Sequence, residues 1–165
     1  MTAAEGEFQR LVGGLDYPMY VVTAAAGDRR SGCLVGFGTQ CSIHPPRYWI
    51  CLSKSNLTYR VAEDAAALAV HVLAPEDGEL ARLFGEETGD DVDKFERCRW
   101  EPAPDGVTPI LTACRRWFVG RVVGRMDVGD HVSFLLHPLW ASAGDGARGT
   151  LGFQGTKGLE PGHEP

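Results

Sequence analysis

No stretch of the 165 residues approaches the roughly 20 consecutive apolar positions that a helix needs to cross a bilayer. Positive charge is also scarce: 16 Lys and Arg stand against 22 Asp and Glu, the formal net charge is -6, and no basic run occurs. A surface that grips nucleic acid neutralises phosphates with clustered Lys and Arg, so no nucleic-acid partner is expected. None of the five cysteines forms a CxxC pair, and the scattered His and Cys residues make no recognisable zinc set, so no metal site is expected. Cys33, Cys41 and Cys51 lie in apolar, strand-like surroundings and read as reduced core thiols. The N-terminus, MTAAEGEFQR, lacks the basic start and apolar middle of a secretory signal, which makes the cytoplasm the expected compartment. No strand is followed by a GxGxxG helix opening, which argues against a Rossmann dinucleotide site. No internal repeat or low-complexity segment appears.

What is abundant is glycine and proline, 21 and 10 residues, which favours a turn-rich β protein over a helix bundle. The length suits a single domain over residues 1–165, with a core at about 8–140 and a tail from 143 to 165. Folding at this size hides roughly two-thirds of the chain's surface, so no staples are needed. Residues 5–12 predict a short helix stopped by Gly13-Gly14. Tyr17 to Ala25 reads as a strand ending at the turn Gly27-Asp28, paired in a hairpin with Ser31 to Cys41. Pro45-Pro46 breaks the chain before a short buried strand, Tyr48 to Leu52. Residues 56–67 have helical composition, with Leu57, Val61 and Ala65 on one stripe. Leu68 to Leu73 returns to strand and 76–84 to helix, while 85–110 reads as irregular. The clearest signal is Trp117 to Leu139, two β runs flanking DVGD. From Ala143 onward the chain is Gly-rich and polar, either loose or an arm laid on a partner. About six strands and three short helices in mostly antiparallel order predict a mainly β fold, a Greek-key or split β-barrel with peripheral helices.

Two segments carry chemistry. After the Tyr48–Leu52 strand come Ser53, Lys54, Ser55, Asn56, Leu57 and Thr58. Ser55 or Asn56 is a good N-cap, and free helix N–H groups, three hydroxyls and an ammonium suit a phosphate. The same segment also reads as an ordinary capped helix. The second is GCLVGFGTQCSIHPP, where Gly36 and Gly38 would let a flat aromatic ring lie against backbone; curvature at a barrel corner explains them equally well. His71 and His137 alternate with apolar neighbours and read as structural. Trp100, Trp117 and Trp140 suit packing more than stacking on a ligand.

The run from Gly32 to Pro46, then CLSKSNLTYRVAEDAAALAVHVL, LARLFGEETGDDVDKF and GDHVSFLLHPL, resembles the flavin reductase-like FMN-binding split-barrel family over about residues 8–140. The resemblance implies that Cys33, Leu34, Val35 and Gly36 lie along the isoalloxazine, with Gln40 and Ser42 at its polar end. It implies that Ser53, Lys54, Asn56 and Thr58 hold the phosphate, and that Lys94 and Phe95 belong to a loop closing on the flavin. His131 matches a histidine near the nicotinamide face, although its spacing alone reads as a cap on the DVGD turn. The implied protein binds FMN or FAD, takes hydride from NAD(P)H and forms a homodimer. It passes electrons to an acceptor or to a flavin-dependent monooxygenase. A flavin-binding electron carrier with no nicotinamide site, or a split barrel holding haem or a deazaflavin, are the alternatives. Two departures from the family stand out: Gly36-Phe37 replaces hydroxyl or amide side chains, and the tail lacks an aromatic-basic ending.

Overall fold

The computed structural model describes residues 1–145 and 149–162. The chain opens with α1 (Ala3–Gly13), where Thr2 and Glu5 form a reciprocal cap. None of its residues is buried. A hairpin follows, β1 (Tyr20–Ala26) and β2 (Arg29–Val35), joined by the two-residue loop Gly27-Asp28. Gly27 takes φ 61°, a conformation that only glycine adopts cheaply. Then come β3 (Gly38–Ser42), β4 (Arg47–Ser53), α2 (Leu57–Ala62), β5 (Ala67–Val72) and α3 (Gly78–Glu86). A small pair, β6 (Trp100–Pro102) and β7 (Pro109–Leu111), precedes the long hairpin of β8 (Trp117–Asp127) and β9 (His131–Ser142).

Seven of these strands form one antiparallel sheet in the order β2-β1-β5-β8-β9-β4-β3, so β2 and β3 are its two edges and the barrel is split between them. Period-two alternation builds the core. Tyr20, Val22 and Ala24 of β1, Leu68 and Val70 of β5, and Phe134 and Leu136 of β9 meet Ile50 and Leu52 of β4 inside the barrel. Each large side chain fully buried there stabilises the fold by roughly 1.5–3 kcal/mol. The opposite faces of β1 and β5 are covered by α3 and by the β6–β7 pair. Val21 packs with Phe84, Phe95 and Leu111, and Ala69 with Ala103 and Ile110.

The structure corrects several expectations. The stretch Ser31–Cys41 is two strands, because the chain bends at Gly36-Phe37. A Cβ at Gly36 would stand 2.6 Å from the Tyr17 ring and one at Gly38 2.6 Å from Ile50, so these glycines make room for the protein's own side chains. The helix expected over 56–67 stops at Ala62, where Arg125 of β8 donates to the carbonyls of Ala62 and Glu63. Ala67 and Ala69 instead serve as small strand residues beneath the β6–β7 pair. Residues 85–110 are not simply irregular: they hold a one-turn helix at Lys94–Glu96 as well as β6 and β7. With nine strands among the described residues, the expected six undercounts. Cys41 is exposed on the edge strand rather than buried. Over 149–162 the tail is not loose but packs on the body of the chain. Leu151 N–H donates to Leu73, Phe153 N–H to Tyr17 and Gly162 N–H to Gly85.

His71 and the tryptophans take the packing roles read from their neighbours. The His71 ring is fully buried between Val21 O (2.9 Å) and the Leu111 N–H (3.0 Å). Trp100 packs on Phe95, and Trp117 and Trp140 border the Ala69 cluster. Among the described residues no helix is long and apolar enough to cross a membrane, and no cluster of His, Cys, Asp and Glu could hold a metal ion.

Candidate functional site

The split in the barrel opens into a cavity of about 560 Å³, within the range of small-molecule and cofactor sites. One wall is the end of β2, Cys33, Leu34 and Val35, continuing into Gly36 and Phe37. The facing polar wall comes from β4 and its junction with α2: Cys51, Ser53 and Asn56. Ser53 Oγ shares a hydrogen bond with Ser55 Oγ (2.8 Å), and Asn56 caps α2 by accepting the Thr58 N–H (3.4 Å). Phe84, Gly85 and Glu87 enter from α3 and the residue after it, Lys94 from the one-turn helix, and His131 from the first position of β9. The tail adds Phe153, Thr156 and Lys157, with Tyr17 and Met19 below them.

The structure therefore brings together Cys33, Leu34, Val35, Gly36, Ser53, Asn56, Lys94 and His131 of the residues singled out by sequence. It does not bring the others to the cavity. Gln40 and Ser42 lie on the edge strand β3, where Gln40 Nε2 donates to Ser42 O (3.1 Å). Lys54 Nζ is engaged by Asp127 (2.7 Å) and Gly129 O (2.6 Å), which also holds the Asp127 carboxyl below its usual range. Thr58 is fully buried against Ser31 (2.9 Å). Phe95 is a core residue packed between Phe84 and Trp100. The phosphate cradle read from Ser53–Thr58 thus presents only Ser53 and Asn56 to the cavity.

Electrostatically the cavity favours an anion. Lys94, Lys157 and His131 line it against one carboxylate, Glu87, which is itself bonded to Arg97 (2.9 Å). His131 Nδ1 donates to the Asp130 carboxylate (2.7 Å), leaving Nε2 free of that contact, and the pair draws the Asp130 pKa down. The turn itself is also closed by backbone, Val128 N–H to His131 O. Phe37, 54% exposed, stands 5.3 Å from the His131 ring and 6.3 Å from Tyr17. Tyr17 in turn stacks on Phe153 at 4.8 Å. Burial pushes the Cys33 thiol up to about 11, so it is a neutral wall residue at physiological pH.

Sequence reasoning missed the tail's contribution. The aromatic and basic side chains the tail does carry, Phe153 and Lys157, both lie on the cavity wall. Three large apolar residues, Leu151, Phe153 and Leu159, in an otherwise polar segment were the available signal that it packs on the body.

The split barrel thus encloses a cavity with an apolar β2 wall and with Lys94 and Lys157 among its lining residues. The family model described as "Flavin reductase like domain" matches residues 12–158, and the chain belongs to that family. It is 26% identical over 122 residues to the ferric-chelate reductase (NAD(P)H) of Archaeoglobus fulgidus, covering 73% of this chain and 72% of that protein. It is 29% identical over 134 residues to a protein named as a diflavin flavoprotein in Nostoc, covering 79% of this chain but only 23% of that protein. The chain thus spans less than a quarter of that longer relative. Its fold matches the NADH:FAD oxidoreductase of Streptomyces globisporus with a TM-score of 0.82 at 23% identity, over 93% of this chain and 90% of that one.

Proposed function

We infer that the protein is an FMN-binding oxidoreductase that accepts hydride from NAD(P)H and delivers the electrons to an acceptor, such as a partner oxygenase. The observation that carries this reading is the cavity itself. Its apolar β2 wall suits an isoalloxazine, Ser53 and Asn56 supply donors for the polar end, and three cationic or titratable nitrogens favour phosphate-bearing ligands. FAD fits the same chemistry, since it shares the isoalloxazine and ribityl chain and differs by an adenylate joined to the phosphate. Flavin supplies the hydride and electron chemistry when bound, while the chain binds, orients and shields it. We assign His131, partly shielded and beside Phe37, the role of holding the nicotinamide donor. Hydride transfer needs close positioning, and small misplacement costs rate.

A homodimer in the cytoplasm completes this proposal. β3 is an uncovered edge strand followed by Ile43, 70% exposed, and symmetric pairing is the commonest way to cover such an edge.

An absorbance spectrum of the purified protein with FMN, before and after NADH or NADPH, tests the reading. Oxidised-flavin bands that bleach on adding the nucleotide are expected. His131→Ala should keep FMN affinity within about threefold while slowing bleaching roughly tenfold, the effect of one lost positioning contact. Flavin bands that neither nucleotide bleaches would move the protein to an electron carrier, and a Soret band would move it to haem.

A further inference from the structure

Lys94 is a lysine in a place where lysine is rarely found. It is 4% exposed, whereas lysine is almost never buried unless paired with a carboxylate. Among the described residues it has no such partner. Its Nζ donates to two backbone carbonyls, Gly32 O and Phe84 O, both at 3.2 Å, and stands 5.5 Å from the centre of the Phe84 ring. Glu87, the acidic side chain that shares its cavity, is bonded to Arg97. Two carbonyls could be satisfied by a neutral amide at far smaller desolvation cost, because taking an ammonium out of water is the expensive part. Burial pulls the Lys94 pKa down, so the chain alone does not fully compensate the charge. The residue nevertheless lines the cavity, beside Cys33 and within the apolar wall.

We propose that Lys94 is the electrostatic determinant of the bound flavin's reduction potential: its buried ammonium stabilises the negative charge that the cofactor gains on reduction. This rests on the flavin reading of the cavity. A hydride brings two electrons and one proton, so a neutral oxidised ring becomes a reduced ring carrying one negative charge. No further proton is needed if a cation already faces that charge. The weakly screened interior makes such a charge pair far stronger than one in water. Lys94 thus favours reduced over oxidised flavin, whereas a purely structural tie between β2 and α3 would support both forms equally.

Dissociation constants of oxidised FMN, and of FMN reduced anaerobically with dithionite, separate these roles. They are measured for the parent, Lys94→Met and Lys94→Gln. Both variants should weaken binding of reduced FMN at least tenfold more than that of oxidised FMN. A tenfold change in that ratio corresponds to a potential about 30 mV more negative for a two-electron couple. A parent-like ratio in Lys94→Gln, which keeps donors but not charge, would overturn the assignment. The parent alone gives a second reading should the variants fail to fold. Below the pH at which free reduced flavin takes up its second proton, its bound potential should still change by about 30 mV per pH unit, one proton per two electrons. A slope of about 59 mV per pH unit there, two protons per two electrons, would overturn the proposal. If the parent binds no FMN at all, the flavin reading itself falls.

Discussion

A histidine locked between two backbone groups makes a pH sensor of the fold's stability. His71 Nδ1–H donates to Val21 O and Nε2 accepts from Leu111 N–H, so both nitrogens are satisfied only by the neutral ring. Burial lowers its pKa from 6.5 to about 4. Between those values the unfolded chain binds a proton that the folded chain does not, so stability is full above about pH 6.5 and falls as pH drops toward 4. The loss from this one group is about 3 kcal/mol by pH 4. Urea unfolding at pH 7 and pH 4.5 checks it. His71→Gln should be less stable than the parent at pH 7 yet show a shallower loss on acidification; parallel pH curves would count against the assignment. The same residue was legible in the sequence as structural, because it alternates with apolar neighbours in LAVHVL. The pairing of Lys54 with Asp127 was not legible, because it depends on how the β8–β9 turn folds over the β4–α2 junction.

At the scale of elements, the tail segment is the part of the cavity most open to test. Gln154 donates through Nε2 to Gly13 O (3.2 Å) and Leu15 O (2.7 Å), Lys157 Nζ donates to Gly13 O (2.9 Å), and Phe153 stacks on Tyr17. Phe153→Ala should weaken FMN binding roughly tenfold, given about 1 kcal/mol for the aromatic pair beyond its lost area. The melting temperature of the flavin-free protein should fall by only a few degrees, since the main core lies elsewhere. Fluorescence titration and thermal unfolding read the two effects separately, and an unchanged FMN affinity would place the tail outside the site. This wall could not be read ahead, because the Gln154 and Lys157 hydrogen bonds join positions 138 to 144 apart and a Gly-rich composition carries no periodicity. The long β8–β9 hairpin was legible because its turn and flanking β residues are local. The β6–β7 pair was hidden: Pro102 ends one three-residue strand and Pro109 begins the other, both too short for alternation to show. The over-long helix came from an alanine run whose propensity lost to burial.

For the whole molecule, the two free edges of the sheet set the expected assembly. Light scattering with FMN present should give twice the 17.9 kDa of one chain. Charged substitution at Ile43, beside the β3 edge, should shift the sample toward that single-chain mass by placing like charges across a symmetric contact. A parent that scatters as one chain at micromolar concentration would remove the dimer from the proposal. The fold class and the Ser53–Asn56 junction were readable from local patterns, whereas the β2 and β9 parts of the site were legible only through the family resemblance. The arrangement of charges around the cavity was not readable, since Lys94, Lys157, Glu87 and His131 come from four separate segments.

The tie between Gly13 and the Gln154–Lys157 segment also sets an order of events during synthesis. Translation proceeds at about 5–20 residues per second, and N-terminal segments leave the ribosome first. The β2 wall and the Ser53–Asn56 junction therefore exist as nascent chain well before Phe153 and Lys157 emerge to close over them. Until then the cavity lacks the wall that Phe153, Thr156 and Lys157 supply. On the flavin reading, retention of the cofactor is expected only once the Phe153–Lys157 segment has packed on the end of the first helix.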